Sequence, residues 1–254
     1  MKRLLTYVIS IAILLFAWQM ASISVNLINH EAILPGPFDA LSQVVKNAAE
    51  LQRNFVASAW RLILAILISL ATAMPLGLMI GREPTFDRFF SPMIYITYPI
   101  PQVALILFLF VVSGTGSATK VAMVALALFY QILVSARGAA KNIDEEYVTS
   151  VLSAGASRWQ VYRHVVLPAS LPQILTSLRV SIGLGIAFLY IAETRAALGT
   201  GLGSFINKHM LFSRDRAFAG IVAMAVLGLL LYIAVDLIER ILCRWKYVKR
   251  QSLK

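Results

Sequence analysis

Residues 145–172 read EEYVTSVLSAGASRWQVYRHVVLPASLP. This stretch is polar in its first half, carries one glycine at 155 and ends on two prolines, Pro168 and Pro172. It sits in a chain of 254 residues of which 59% are hydrophobic. Its local pattern predicts two short helices with a break. Asn142 is placed to cap the first, with Glu145 three residues later. Val148, Val151 and Leu152 then form an apolar stripe at i, i+3 and i+4. Gly155 ends that helix, because glycine accepts the left-handed conformation found at helix C-termini. Ser157 and Gln160 spell a second capping box. Trp159, Tyr162, Val165 and Val166 give the next stripe. Pro168 stops or bends that helix, and Pro172 suits the first turn of the segment that follows.

Working outward, the chain is apolar in long runs. Soluble domains are roughly 45–50% apolar, and this chain exceeds that. Six runs are long enough to cross a bilayer, near 4–23, 55–80, 89–112, 118–137, 173–193 and 217–238. Helices are the expected spanning element, because lipid cannot satisfy free backbone groups. The short alternating strands of a membrane barrel are not seen. The fold class is therefore an all-α polytopic membrane protein with six transmembrane helices. The net charge of +11 does not point to nucleic acid, because the basic residues lie in short loops beside apolar spans. With the N-terminus inside, fourteen Lys and Arg fall in inner segments and eight in outer ones, with Arg179 inside a span. The positive-inside rule then puts both termini in the cytoplasm and makes 138–172 the longest inner loop. The opening MKRLL resembles the start of a signal peptide, but no small-residue cleavage pattern follows the 4–23 run, so it reads as a retained span. The single cysteine, Cys243, excludes an internal disulfide framework.

Two readings fit the polar loop at this stage. One is an interfacial helix pair resting on lipid headgroups. The other is a docking surface that lays a helix face into a groove of a partner protein. The spacing Gly155, nine residues, Val165, one residue, Leu167, Pro168 resembles the loop of binding-protein-dependent ABC importer permeases. That loop is written Glu-Ala-Ala, three residues, Gly, nine residues, Ile, one residue, Leu-Pro, and it precedes the fifth of six spans. Further segments, among them LPGPFDAL (34–41), YPIPQVALILFLF (98–110), NIDEEY (142–147) and GTGLGSFI (199–206), resemble the nitrate/sulfonate/taurine subfamily. The likeness runs from about residue 33 to 245 and identifies the chain as similar to that subfamily. One departure stands out. The family's Glu-Ala-Ala falls on Thr149, Ser150 and Val151, so its glutamate is absent, while Glu145 and Glu146 lie one turn earlier.

The resemblance implies a type I ABC importer permease (MetI-like) fold. It implies one permease domain over 1–254, with its core at 55–240 and a cytoplasmic coupling loop at 138–172. It also implies a location in the bacterial inner membrane. The implied partners are two ATPase subunits, an extracytoplasmic substrate-binding protein and a second permease copy forming a homodimer. ATP and Mg would be bound by the ATPase, and this chain is expected to hold no cofactor. Glu145, Glu146, Thr149, Ser150, Gly155, Ala156, Ser157, Leu167 and Pro168 are the expected coupling residues. The implied cargo is a small anion or zwitterion such as a sulfonate, taurine, nitrate or bicarbonate. A pyrimidine or thiamine precursor is the alternative cargo, and a structural membrane protein without transport is the alternative of another class.

Other constellations exclude more than they add. No lysine follows a glycine, so the chain has no phosphate loop of the G-x-x-x-x-G-K-[ST] kind, and any ATP would be hydrolysed by another chain. His30, His164 and His209 are isolated, which speaks against a metal site and against an enzyme. GTGLG (199–203) lacks the strand–turn–helix setting of a nucleotide fingerprint and reads as a tight outer loop. Tyr98, Pro99, Pro101 and Gln102 lie inside the third run, where the prolines give either a packing kink or a bend lining a translocation path. Arg179 lies about 9 Å into the fifth run and either snorkels to the interface or lines a cavity that attracts an anion. Glu193 closes that run, as a partner for Arg195 or as part of an outer gate. Ser177, Ser181 and Gly185, and likewise Gly183 and Ala187, recur every four residues, a spacing that allows close helix packing or a dimer seam.

Overall fold

The computed structural model describes residues 2–195 and 199–248, and every regular element among them is helical. The helices are α1 (Lys2–Asn29), α2 (Pro37–Lys46), α3 (Ala48–Arg82), α4 (Pro84–Thr97), α5 (Gln102–Ser113), α6 (Ser117–Lys141), α7 (Glu145–Ser153), α8 (Arg158–Val161), α9 (Leu167–Thr194), α10 (Leu202–His209), α11 (Arg214–Leu242) and α12 (Arg244–Val248). A π-helical turn, Tyr162–Val166, joins α8 to α9. Five continuous helices are long and apolar enough to cross a membrane: α1, α3, α6, the run Arg158–Thr194, and α11. The pair α4 and α5 passes the same test when taken together, and it is bent by more than 40° at the break between them. The prolines cause that break. Pro99 and Pro101 remove two backbone donors in three residues, so α4 ends at Thr97 and α5 restarts at Gln102.

The chain divides into two compact units. The first comprises Met1–Ser58 and Glu193–Leu227. Here α1 exposes most of its apolar side chains, such as Phe16 and Ile13, as a lipid-facing helix does. Its far end is tied down by polar groups. Asn26 accepts the N–H groups of Ile33 and Leu34 at 2.8 and 2.9 Å, and Ser22 donates to the Leu34 carbonyl at 2.6 Å. Trp18 donates to the Pro35 carbonyl at 3.1 Å and its ring meets Phe218. These bonds reverse the chain into α2, whose first helical position is Pro37, suited to that place because its missing N–H has no intrahelical role.

The second unit comprises Ala59–Ala192 and Gly228–Lys254. Its core is aliphatic, with Leu62, Leu128, Ile132, Leu178 and Leu189 almost wholly buried. Helices α3 and α6 approach until their backbones nearly touch. A Cβ on Gly77 would lie 2.6 Å from the Leu133 carbonyl oxygen, and one on Gly81 would lie 2.2 Å from that of Arg137. Ala73, fully buried, continues the same four-residue spacing. Ser69 adds a hydrogen bond across to the Ala125 carbonyl at 2.8 Å. The small residues on α9 divide differently from this. Gly185 packs against Leu62 and Leu128 of its own chain, whereas Gly183 has open space around it.

Two local expectations are corrected, and of the two alternatives for Pro168 one is removed. Asn142 does not start α7; it closes α6, its N–H bonding back to the Gly138 carbonyl and that of Ile143 to the Ala140 carbonyl, and Asp144 occupies the N-cap of α7. Pro168 does not stop the helix. The backbone shifts into the wider π register just before it, with the Leu167 N–H bonding to the Tyr162 carbonyl, and the helix runs on to Thr194. An i→i−5 turn moves the carbonyls out of the way of the proline ring, which is how a helix absorbs proline without ending. Pro172 accordingly lies inside α9 instead of opening it.

Candidate functional site

The loop 142–168 is a rigid elbow, and its stiffness comes from three devices. The first is the corner after α7. Gly155 sits at φ +86°, its N–H bonding to the Leu152 carbonyl at 2.9 Å, while the Ala156 N–H bonds to that of Val151 at 3.3 Å. This nested pair is a Schellman turn, and it requires the left-handed conformation that glycine adopts most easily. The second is the capping box at the start of α8. Ser157 Oγ accepts the Gln160 N–H at 3.3 Å, and Gln160 Oε1 accepts the Ser157 N–H at 2.7 Å. The third is apolar anchoring. Val148, Val161 and Val166 are buried, one from each turn of the elbow. The burial selects one side of each predicted stripe, because Leu152 and Trp159 stay exposed.

Charged groups hold the elbow to the ends of the neighbouring helices. Arg82, the last residue of α3, donates two hydrogen bonds to the Glu145 carboxylate, at 3.0 and 2.6 Å. The Arg82 guanidinium holds the Glu145 carboxyl below its ordinary range. Tyr162 donates to Glu83 at 3.3 Å. Asp87 on α4 receives Arg137 at 2.6 Å and Lys141 at 2.7 Å, both from α6. Ser91 takes a further bond from Arg137 and donates to Asp87 at 3.0 Å. The elbow thus has a fixed back and a free front. On the front Glu146, Thr149, Ser150, Gly155 and Ser157 are exposed, with Ala156 partly so. Leu167 and Pro168 are half-buried at the base, where the elbow enters α9. Glu145 belongs to the back: its charge is spent on Arg82.

The remaining predicted residues lie in separate places. Tyr98, Pro99, Pro101 and Gln102 form the break between α4 and α5, and the Tyr98 hydroxyl accepts a bond from Gln131 at 3.4 Å. Arg179 is held in ion pairs. It bonds both Asp236 and Glu239 of α11 and lies over the Tyr232 ring at 5.5 Å. Glu239 is wholly buried and also takes Lys246 at 2.6 Å, while Asp236 also takes Arg240 at 2.7 Å.

Glu193 is wholly buried in the first unit. Its carboxylate accepts Ser58 Oγ at 2.8 and 2.9 Å and the Gly203 N–H at 2.8 Å. Ser58 Oγ in turn accepts the Leu202 N–H at 2.8 Å, and Asn54 Oδ1 accepts that of Gly201 at 2.8 Å. Glu193 and its neighbours therefore satisfy the free N–H groups at the start of α10, which a helix N-terminus always presents. Gly201, at φ +129°, comes so close that a Cβ there would lie 2.2 Å from Glu193 Oε1. Asn54 and Ser58 carry no signal in the sequence, and Arg82 shows there only as a basic residue at a helix end. Only the glycine spacing in GTGLG marked this turn, and its partners come from helices far away in sequence.

Comparison with known proteins fits this architecture. Residues 73–242 match the family described as the binding-protein-dependent transport system inner membrane component. The chain is 31% identical over 244 residues to the taurine transport system permease protein TauC of Escherichia coli (strain K12), covering 93% of this chain and 88% of that one. It is 28% identical over 231 residues to the putative aliphatic sulfonates transport permease protein SsuC of the same organism, covering 90% and 87%. A chain from the structure titled inward facing conformations of the MetNI methionine ABC transporter shares the fold, with a TM-score of 0.63 and 19% identity over 76% of this chain and 96% of that one. The chain belongs to the binding-protein-dependent transport system inner membrane component family. It is a multi-pass inner-membrane permease subunit of an ABC importer, and that membership implies an ATPase and a substrate-binding protein as partners.

Proposed function

We propose that two identical copies of this chain form the translocation path of an importer driven by two ATPase subunits, with both termini and the elbow in the cytoplasm. On this reading the single domain 1–254 contains its own coupling element. The observation that carries it is the elbow's fixed back and free front. A stiff lever transmits force only if it cannot flex, and Val148, Val161 and the Arg82–Glu145 pair hold it to the ends of the spanning helices. The exposed front, with Glu146, Thr149, Ser150, Gly155, Ala156 and Ser157, docks on the ATPase, and Leu167 and Pro168 pass the movement into α9. ATP and Mg are bound by that partner. Thr149 offers a hydrogen bond where the family motif has its glutamate, and the exposed carboxylate on this front is that of Glu146, one turn earlier. Closure of the ATPases shifts a bistable packing of helices between two facings. The break at Tyr98, Pro99, Pro101 and Gln102 is the segment best suited to line the path, because interrupted backbone at membrane depth persists where it meets protein or water.

The cargo is a small sulfonate or taurine, with nitrate and bicarbonate in the same anionic or zwitterionic class, delivered by the binding protein. The similarity to the taurine and aliphatic sulfonate permeases supports this choice. The test is reconstitution of the permease with its ATPase and binding protein in liposomes. Uptake of labelled taurine or an alkyl sulfonate, dependent on ATP, supports the reading. Uptake of an aminopyrimidine in place of every anion overturns the cargo, and a purified permease that recruits no ATPase overturns the coupling role.

A further inference from the structure

We infer that the second unit carries a binding groove for an anionic phospholipid, at the place where α3 meets the root of the elbow. A groove of about 730 Å³ lies between the end of α3 and the turn α8. Its walls are apolar: Met74, Leu78, Phe86, Trp159 and Leu167 line it. Its lining also includes two basic residues, Arg158 and Arg163, both exposed and neither in an ion pair among the described residues. Glu83 is the one acid lining the groove among the described residues, and its carboxylate already accepts the Tyr162 hydroxyl. The lining therefore keeps a net positive charge.

An occupant must match both parts. The volume is that of a drug-sized ligand or a length of acyl chain. Apolar walls alone would admit any lipid or a protein side chain. The paired arginines add selection for a negative headgroup, since guanidinium forks match phosphate oxygens. The position fits the same ligand. The groove opens where the membrane-spanning α3 ends at Arg82, which is headgroup level, and basic pockets between spanning helices at that level hold anionic headgroups. Trp159 lines the groove and is 72% exposed, and an indole at this place suits the boundary between headgroup and chain. None of the elbow's front residues, Glu146 to Ser157, lines this groove. A lipid here would fill the space behind the lever and stiffen it.

The experiment uses the full-length permease, alone and bound to its ATPase, in phosphatidylcholine nanodiscs with or without brominated-chain phosphatidylglycerol. Quenching by bromine is read as the difference between the native chain and W159F, and retained lipid is counted by native mass spectrometry. Brominated phosphatidylglycerol is expected to quench Trp159 more strongly than brominated phosphatidylcholine. R158Q/R163Q is expected to lower the preference for phosphatidylglycerol by about 30-fold at most, given the attraction of each basic residue to an anionic surface. R158K/R163K should retain most of the preference. An unchanged preference in R158Q/R163Q overturns the proposal. Displacement of the lipid by inorganic phosphate overturns it too, as it would mark a free-anion site, and so does loss of quenching once the ATPase binds, which would mean that protein covers the groove.

Discussion

Arg82 holds Glu145 through both carboxylate oxygens, at 3.0 and 2.6 Å, and so ties the last residue of α3 to the first residue of α7. The fork geometry is favourable, but Glu145 is 78% exposed, so water screens the pair and its worth is below about 1 kcal/mol. Its effect is on position. E145Q should leave the protein inserted and folded but raise the mobility of α7, read by a spin label at Ser150. The pH dependence follows from the lowered carboxyl pKa. A carboxylate depressed by its partner contributes stability above its unfolded pKa, near 4.5, and loses it as pH falls through the lower folded value. The label should therefore stay ordered from neutral pH down past 4.5 and loosen only below. High salt should mimic part of the loosening in the native chain and none of it in E145Q.

Gly155 gives a test of stiffness separate from docking chemistry. No atom lies within 4 Å of where its Cβ would be, so added bulk meets no clash, yet φ is +86°. Only conformational strain is added, about 1–2 kcal/mol for a residue with a Cβ in the left-handed region. G155V should preserve membrane insertion while uptake and substrate-stimulated ATP hydrolysis fall several-fold or more. G155N should recover much of both, because asparagine tolerates that conformation better than β-branched residues do. Equal activity of G155V and the native chain would show that the corner does not transmit force.

Much of this was readable beforehand, and the exceptions share a cause. The spans, the Gly155 corner and the Ser157–Gln160 cap depend on residues within a turn or two of one another, so their spacing displays them. The broken third span was marked by its prolines, although the sharpness of the bend was not. What stayed hidden depends on distant partners. Arg82 is an ordinary basic residue at a helix end until α7 folds against it, 63 positions later. Ser58 and Glu193 are 135 positions apart. The small-residue spacing is plain on α9, yet the close backbone approach is made by Gly77 and Gly81 of α3, and nothing in the periodicity of either helix says which face meets a neighbour's backbone. The way the helix takes in Pro168 is hidden for a related reason: the π turn that accommodates it leaves no mark in composition.

The contact between Gly201 and Glu193 should be the least tolerant position in the first unit. G201A places a methyl group within 2.2 Å of a buried carboxylate oxygen and adds strain at φ +129°. Strained backbone positions cost on the order of 1–3 kcal/mol each, before the steric term is added. A clear loss of thermal stability in detergent is expected, together with faster proteolysis at 199–203. E193A alone should also destabilise, because it leaves the N–H of Gly203 buried without its acceptor. Combining the two should cost less than the sum, since removing the carboxylate also removes the clash. Strict additivity would mean that the two residues do not meet.

Arg179 separates a structural clamp from a cargo site. Its guanidinium is shared between Asp236 and the wholly buried Glu239, so its charge is already neutralised. R179A would leave Glu239 with Lys246 alone, and breaking a buried pair by removing one partner costs roughly 3–5 kcal/mol. Low yield and a lowered melting temperature in detergent are the expected results. R179A/E239Q should recover part of that loss, because it removes the orphaned charge together with its partner. R179K gives the discriminating measurement: it keeps a cation but loses the fork that serves two acids at once. If the residue is a clamp, R179K should lower stability and leave the substrate concentration for half-maximal uptake unchanged. If it binds anionic cargo within the path, that concentration should rise while the melting temperature holds.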